Sequence, residues 1–151
     1  MATKPAVSME AGIKLDINWS NLSTWEAEQL SAILDYCQQR NWQAFKISEH
    51  QSRTLEPLIS IWKVAFSVNG KPKTVWFING ELPIDFIPFK LNESARDALL
   101  SFSRKFLKQA QILKQESKEE SENRFLMQKL VKVAADLLVL YHEKQLWKDG
   151  S

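Results

Sequence analysis

One cysteine, Cys37, among 151 residues excludes an internal disulfide and any multi-cysteine zinc site. It falls within a helical pattern and reads as a buried, inert thiol. Four glycines are too few for a phosphate cradle, and neither G-x-G-x-x-G nor G-x-x-x-x-G-K-[ST] occurs. The two histidines, His50 and His142, stand far apart, and no H-x-x-x-H or C-x-x-C spacing exists. No metal and no cofactor is therefore expected. A G-x-S-x-G nucleophile elbow is also missing. No apolar run approaches the ~20 residues of a membrane-crossing helix. The first twelve residues carry no apolar signal region, so a cytoplasmic location follows by default. The formal net charge of +2 is too small to imply nucleic acid, which needs a clustered basic surface. Arg96, Arg104, Lys105, Lys108 and Lys114 share one helix, but Glu93, Asp97 and the acidic segment 116–122 offset them. That helix face is read as solvated.

What the chain does have is a clear sequence of elements. Ser23-Thr24-Trp25-Glu26 reads as a capping box, in which Ser23 and Glu26 satisfy each other's backbone amides. Leu30, Ile33, Leu34 and Cys37 follow at helical spacing, which predicts a helix to about Arg40. Asn41 suits its C-terminal end, because Asn tolerates the left-handed conformation. Residues 1–20 show no period and are expected to form a flexible tail ahead of a single domain over 21–149.

Trp42 to Glu49 alternates loosely and predicts a short strand. Pro57 is expected to open a stronger one, over Leu58 to Val68, rich in β-branched and aromatic residues. Asn69-Gly70 signals a hairpin, with Thr74 to Asn79 as the return strand. A two-residue turn would pair Val64 with Val75 and Trp62 with Phe77. A four-residue loop would pair Phe66 with Val75. Either register puts Val75 and Phe77 on the Trp62 face, the expected core face. The opposite face carries Ile61, Lys63, Ala65, Trp76 and Ile78. In the shorter register Lys63 lies opposite Trp76, within cation–π reach.

Asn92 is expected to cap a further helix, with Glu93 in its first turn. Its apolar stripe would be Ala95, Leu99, Phe102, Phe106, Ala110 and Leu113. Ser117-Lys118-Glu119-Glu120 repeats the S-x-x-E signature and predicts a turn near 115–118. A last helix, striped by Leu126, Leu130, Val133, Leu137, Leu140 and Tyr141, would end near Trp147. That stripe packs within the chain or serves a dimer. The order predicts an α+β, two-layer fold: a small antiparallel sheet of two or three strands, an N-terminal helix and two long C-terminal helices.

"WFINGELPIDFIPF", residues 76–89, is the densest stretch. Gly80 permits a tight exit from the strand, while Pro83 and Pro88 stiffen the segment beyond it. Glu81 and Asp85 sit on this connection. Two readings compete. In one, it is a structural corner between sheet and helix, plugged by Leu82, Ile84, Phe86, Ile87 and Phe89. In the other, Glu81, Asp85 and Arg96 form a small-molecule or enzymatic site, with Arg96 in the first turn of its helix where an anionic ligand could bind. Trp76, on the poorer sheet face, is either covered or an exposed anchor for a partner.

"ISIWKV", "VWFINGELPID", "SARDALLSFS" and the closing "LYHEKQLW" resemble a family of small bacterial proteins classed only as a domain of unknown function. The likeness spans about residues 50–147, and Gly80 to Asp85 is its most specific part. Where the family pattern carries a His after that Asp, this chain has Phe86. The resemblance implies a cytoplasmic bacterial protein and no catalytic assignment. The residues leave an enzyme open and lean against one. The leading expectation is a non-catalytic binding or interaction domain, docking a protein partner or a second copy through Trp76, Ile78 and Ile61 or through the last helix.

Overall fold

The computed structural model describes residues 17–116 and 121–148. The chain divides into two compact units, the first ending at Ala95 and the second beginning at Arg96.

The first unit opens with a short 3-10 turn, Trp19–Asn21, held by the Asn18 side chain. Of the expected tail, residues 1–16 lie outside the described residues. Ile17, Trp19 and Leu22 pack against the core. Helix α1, Thr24–Gln39, starts at the predicted capping box. The Ser23 hydroxyl accepts from the Glu26 amide at 3.1 Å, and Glu26 accepts from the Ser23 amide at 2.8 Å. Asn41 ends the helix with φ 61°. The Asn41 amide returns to the Gln38 carbonyl and the Trp42 amide to Cys37, so those two carbonyls of the last turn are satisfied.

A four-stranded antiparallel sheet follows, ordered β1-β2-β3-β4: Gln43–Leu55, Ile59–Val68, Lys71–Gly80 and Asp85–Pro88. The sheet is larger than the expected two or three strands. Its first strand runs on to Leu55, past the expected Glu49. The pairing with β2 breaks between Ser48 and Arg53. There the Ser52 hydroxyl accepts from the Lys63 amide at 2.9 Å and donates to the Ser48 carbonyl at 2.7 Å. A side chain thus bridges the gap in the ladder, and His50 lies exposed in this bulge. Pro57 lies in the turn before β2 and does not open it.

The β2–β3 hairpin takes the two-residue register, with Val64 opposite Val75, Trp62 opposite Phe77 and Lys63 opposite Trp76. Asn69 at φ 52° and Gly70 at φ 80° make the turn. One sheet face meets α1: Leu30, Ile33, Leu34 and Cys37 pack on Ile47, Trp62, Val64, Phe66, Val75 and Phe77. A buried polar chain pins the two layers together. The Trp62 indole donates to Ser60 Oγ at 2.8 Å, Ser60 donates to Asn79 Oδ1, and Asn79 Nδ2 donates to the Gln29 carbonyl at 2.9 Å. Each member is satisfied, so the cost of burying these groups is offset.

The second unit contains two helices, α2 (Ala95–Glu116) and α3 (Ser121–His142), then a 3-10 turn, Lys144–Trp147. Asn92 is not the α2 cap: it lies in a left-handed turn at φ 66°, and the helix starts three residues later. Glu93 therefore precedes the helix. The α2 stripe is as expected, with Leu99, Phe102, Phe106 and Ala110 buried and Leu113 half-buried. Helix α2 is described to Glu116 and α3 from Ser121, and the Ser117–Glu120 signature lies outside the described residues. Helix α3 stops at His142, short of the expected Trp147, because Arg96 and Trp147 take up two of its last carbonyls.

Within this unit, Arg96 Nε donates to the Tyr141 carbonyl and Ser103 Oγ to the Ala134 carbonyl, at 3.0 and 2.7 Å. Successive contacts step forward along α2 and backward along α3, which makes the pair an antiparallel hairpin.

Candidate functional site

The Gly80–Asp85 stretch leads into a fourth strand. Gly80 has φ 127°, and a Cβ built there would lie 2.4 Å from the Leu58 carbonyl oxygen. The Glu81 amide donates to that same carbonyl at 2.9 Å. Gly80 is thus fixed by close backbone approach. Leu82 is buried, while the Glu81 side chain is exposed. Asp85 Oδ1 accepts from the Phe86 amide at 2.8 Å, and Asp85 pairs across the ladder with Ile78. Pro88 ends an edge strand, where a missing N–H breaks no further ladder. The carboxylates stand apart in role: Glu81 faces solvent and Asp85 shapes the start of β4.

Phe86 enters an aromatic cluster. It contacts Trp42 at 5.4 Å, Phe77 at 5.6 Å and Tyr36 at 6.3 Å between ring centroids. The Arg40 guanidinium stacks over the Tyr36 ring at 3.3 Å. A ring fits this apolar setting, and the cluster closes one end of the core.

Trp76 is fully buried, as are Ile61 and Ile78. The expected exposed patch of Trp76, Ile78 and Ile61 is therefore not on the surface. The Trp76 indole donates to Glu93 Oε1 at 2.9 Å, and its ring meets Phe89 at 5.8 Å. Glu93 Oε1 also accepts from the Lys90 amide at 3.1 Å. Lys63, though opposite Trp76, puts its ammonium 3.9 Å from the Phe89 ring centre and donates to Gln51 Oε1 at 3.0 Å. Partial burial, then the neighbouring Lys46, holds the Lys63 ammonium below its ordinary value.

Arg96, in the second unit, carries a structural task. Besides its bond to Tyr141, its guanidinium lies 5.1 Å from the Tyr141 ring and 5.9 Å from the Trp147 ring. The Trp147 indole donates to the Leu140 carbonyl at 3.0 Å. A cation and an indole N–H thus meet the negative end of α3. "SARDALLSFS" and "LYHEKQLW", far apart along the sequence, supply the two halves of one cap.

The outer arc of α3 is the feature to which the sequence pattern gave little weight. Ala134 and Leu137 are buried, but Phe125 is 70% exposed, Val139 67%, Val131 43% and Leu138 40%. Val131, Ala135 and Leu138 stand at heptad spacing, a second stripe beside the buried one. The signal is present in the sequence, but the stronger stripe from Leu126 to Tyr141 masks it. Leu126 itself is exposed.

Among the described residues, no group of three His, Cys, Asp or Glu is placed to hold a metal ion. No helix among them is long and apolar enough to cross a membrane. The family model described as a domain of unknown function, DUF4826, matches residues 20–147, and the chain belongs to that family. No curated protein and no solved structure matches it. The match begins about thirty residues earlier than the motif likeness did, so it takes in α1 as well.

Proposed function

We propose that this member of the DUF4826 family is a non-catalytic protein-interaction domain whose docking surface is the outer arc of α3. The observation that carries the reading is that Val131 and Leu138, one heptad apart on one side of the helix, are both exposed, with Val139 exposed beside Leu138. Scattered exposed apolar residues are ordinary, whereas a contiguous line of them is the usual mark of a binding face. The candidate chemical residues support the same reading from the other side. Trp76, Asp85 and Arg96 each make internal contacts that build the fold. The bacterial cytoplasm belongs to the same proposal and rests on the motif resemblance.

The test is a photo-crosslinking residue placed at Leu138 in cells, with Lys108 on α2 as an exposed control. A discrete adduct at 138, absent at 108 and lost when Val139 is changed to Asp, supports the reading. Equal labelling at both positions, or none at 138, would sink it.

A further inference from the structure

We infer that the hairpin-tip end of the first unit is a docking surface for an extended, acidic segment of a partner protein. The inference stands on a different unit from the α3 face and does not depend on it. Charge is segregated along the sheet. The end that carries the Asn69-Gly70 turn consists of residues 43–47 of β1 and the hairpin from Val64 to Val75. Lys46, Lys71 and Lys73 lie there, Arg40 joins them just ahead of β1, and no Asp or Glu occurs in these stretches. Carboxylates gather at the other end. Glu26 and Glu56 both bond to Ser23, and Glu81 leaves β3 beside Leu58. Glu93, bonded to the Trp76 indole and the Lys90 amide, stands against the sheet face opposite α1. The net charge of +2 averages the two ends and hides them.

Three of the cations share the α1 side of the sheet. Lys73 lies directly opposite Phe66, a core-face residue, and Lys71 shares its face two residues away. Trp42 stacks on Phe66 at 4.8 Å between ring centres, and the Arg40 guanidinium lies 6.0 Å from the Trp42 ring. Arg40, Lys71 and Lys73 are exposed, and none forms an ion pair with a carboxylate among the described residues. Lys71 and Lys73 stand about 7 Å apart along the strand, the spacing at which an extended peptide presents alternate side chains. The two-residue turn holds them in place ahead of binding, which lowers the cost of docking. Nucleic acid fits less well. Base stacking needs an open ring face, but Phe66 covers one face of Trp42 and the Arg40 guanidinium sits 3.3 Å over Tyr36.

The test measures binding of a labelled, alternating Glu-Ser peptide to the purified full chain by fluorescence anisotropy. The peptide should bind at low salt and more weakly at about 0.15 M. Lys71→Glu with Lys73→Glu should weaken it about tenfold at an unchanged thermal melt, since both side chains are exposed. Lys71→Gln with Lys73→Gln removes the charges without reversing them and should give an intermediate loss. Lys108→Glu with Lys114→Glu makes the same charge change on α2 and should leave binding as it was. No binding of the peptide at about 1 mM chain overturns the inference. So does an equal loss in the two Glu variants, which would report net charge alone. An oligothymidylate that binds more tightly than the peptide, and through Lys71 and Lys73, would assign the face to nucleic acid and overturn it too. Absence of the adduct at 138 with peptide binding intact strikes only the α3 reading, and the converse strikes only this one.

Discussion

Replacing Gly80 by Ala isolates the physical reason for the most distinctive stretch of this chain. Two costs add. First, φ 127° is a region that residues with a Cβ rarely adopt, which costs about 1–3 kcal/mol. Second, the new methyl would meet the Leu58 carbonyl oxygen at 2.4 Å and Ile59 Cα at 2.7 Å. Both neighbours are backbone, so a rotamer change cannot relieve the clash. Forcing β2 away costs about another 1–3 kcal/mol. The expected total is about 2–6 kcal/mol, a large share of the ~5–15 kcal/mol that holds a typical domain folded.

Gly70 is the internal control. It also has positive φ, at 80°, but nothing lies within 4 Å of its added Cβ. Gly70→Ala should therefore cost only the left-handed penalty, about 1–2 kcal/mol. Urea titration followed by Trp fluorescence reads the first unit, since Trp19, Trp25, Trp42, Trp62 and Trp76 all lie within it. The midpoint should fall further for Gly80→Ala than for Gly70→Ala, at similar slope. Equal losses would refute the argument from close approach. A Gly80→Ala protein of normal stability that had lost an activity would return "GELPID" to the status of a site.

Trp76→Ala should destabilise by about 3–5 kcal/mol, because it empties a fully buried position and strands part of the Glu93 acceptor; a melt close to wild type would show that Trp76 is not core. Arg96→Ala should cost about 1.5–3 kcal/mol through the charged bond to Tyr141. Its signature would be faster amide exchange in the last turn of α3, and exchange unchanged there would remove Arg96 as a cap. Cys37 should resist a thiol reagent at pH 8 until the protein unfolds, since burial pushes its thiol up to about 12. The unfolded thiol loses its proton near 9 and the folded one does not. The unfolded state therefore binds fewer protons between those values, and stability should fall as pH rises through that window. A Cys37→Ala variant, lacking the thiol, should show a shallower fall; identical slopes would disprove the link.

Local chemistry was readable where it acts over a few residues. The Ser23–Glu26 box, the left-handed Asn41 and the Asn69-Gly70 turn each depend on neighbours in sequence, and each lies where the residues place it. The C-terminal half of β1 was not readable. Its residues from His50 to Thr54 are polar and unpatterned, and they become strand only by pairing with β2 across a bulge bridged by Ser52. β4 was hidden for a related reason. Pro83 and Pro88 argue against a central strand, but Pro83 precedes β4 and Pro88 ends it at the sheet edge, where a proline is tolerated. Asn92 was misread because Asn serves both as a helix cap and as a left-handed turn residue. Only the fold decides between them. The cap at the end of α3 brings in Arg96 from 45 residues away, and no local pattern reports such a meeting.

The candidate site followed the same logic. Glu81, Asp85, Arg96 and Trp76 stand out because reactive or sticky side chains on rigid elements can do chemistry. Three of them instead satisfy backbone or side-chain groups that would otherwise be buried or left at a helix end without a partner. A chain whose distinctive polar residues are occupied in this way has its unexplained surplus elsewhere. Here the surplus is apolar and lies on α3. That helix needs one stripe to form its hairpin with α2, and Ala134 and Leu137 provide it. Val131, Leu138 and Val139 add a second stripe that contributes nothing to the buried side. Val131 and Leu138, one heptad apart, with Val139 beside them, are the residues from which the proposed interaction face is built.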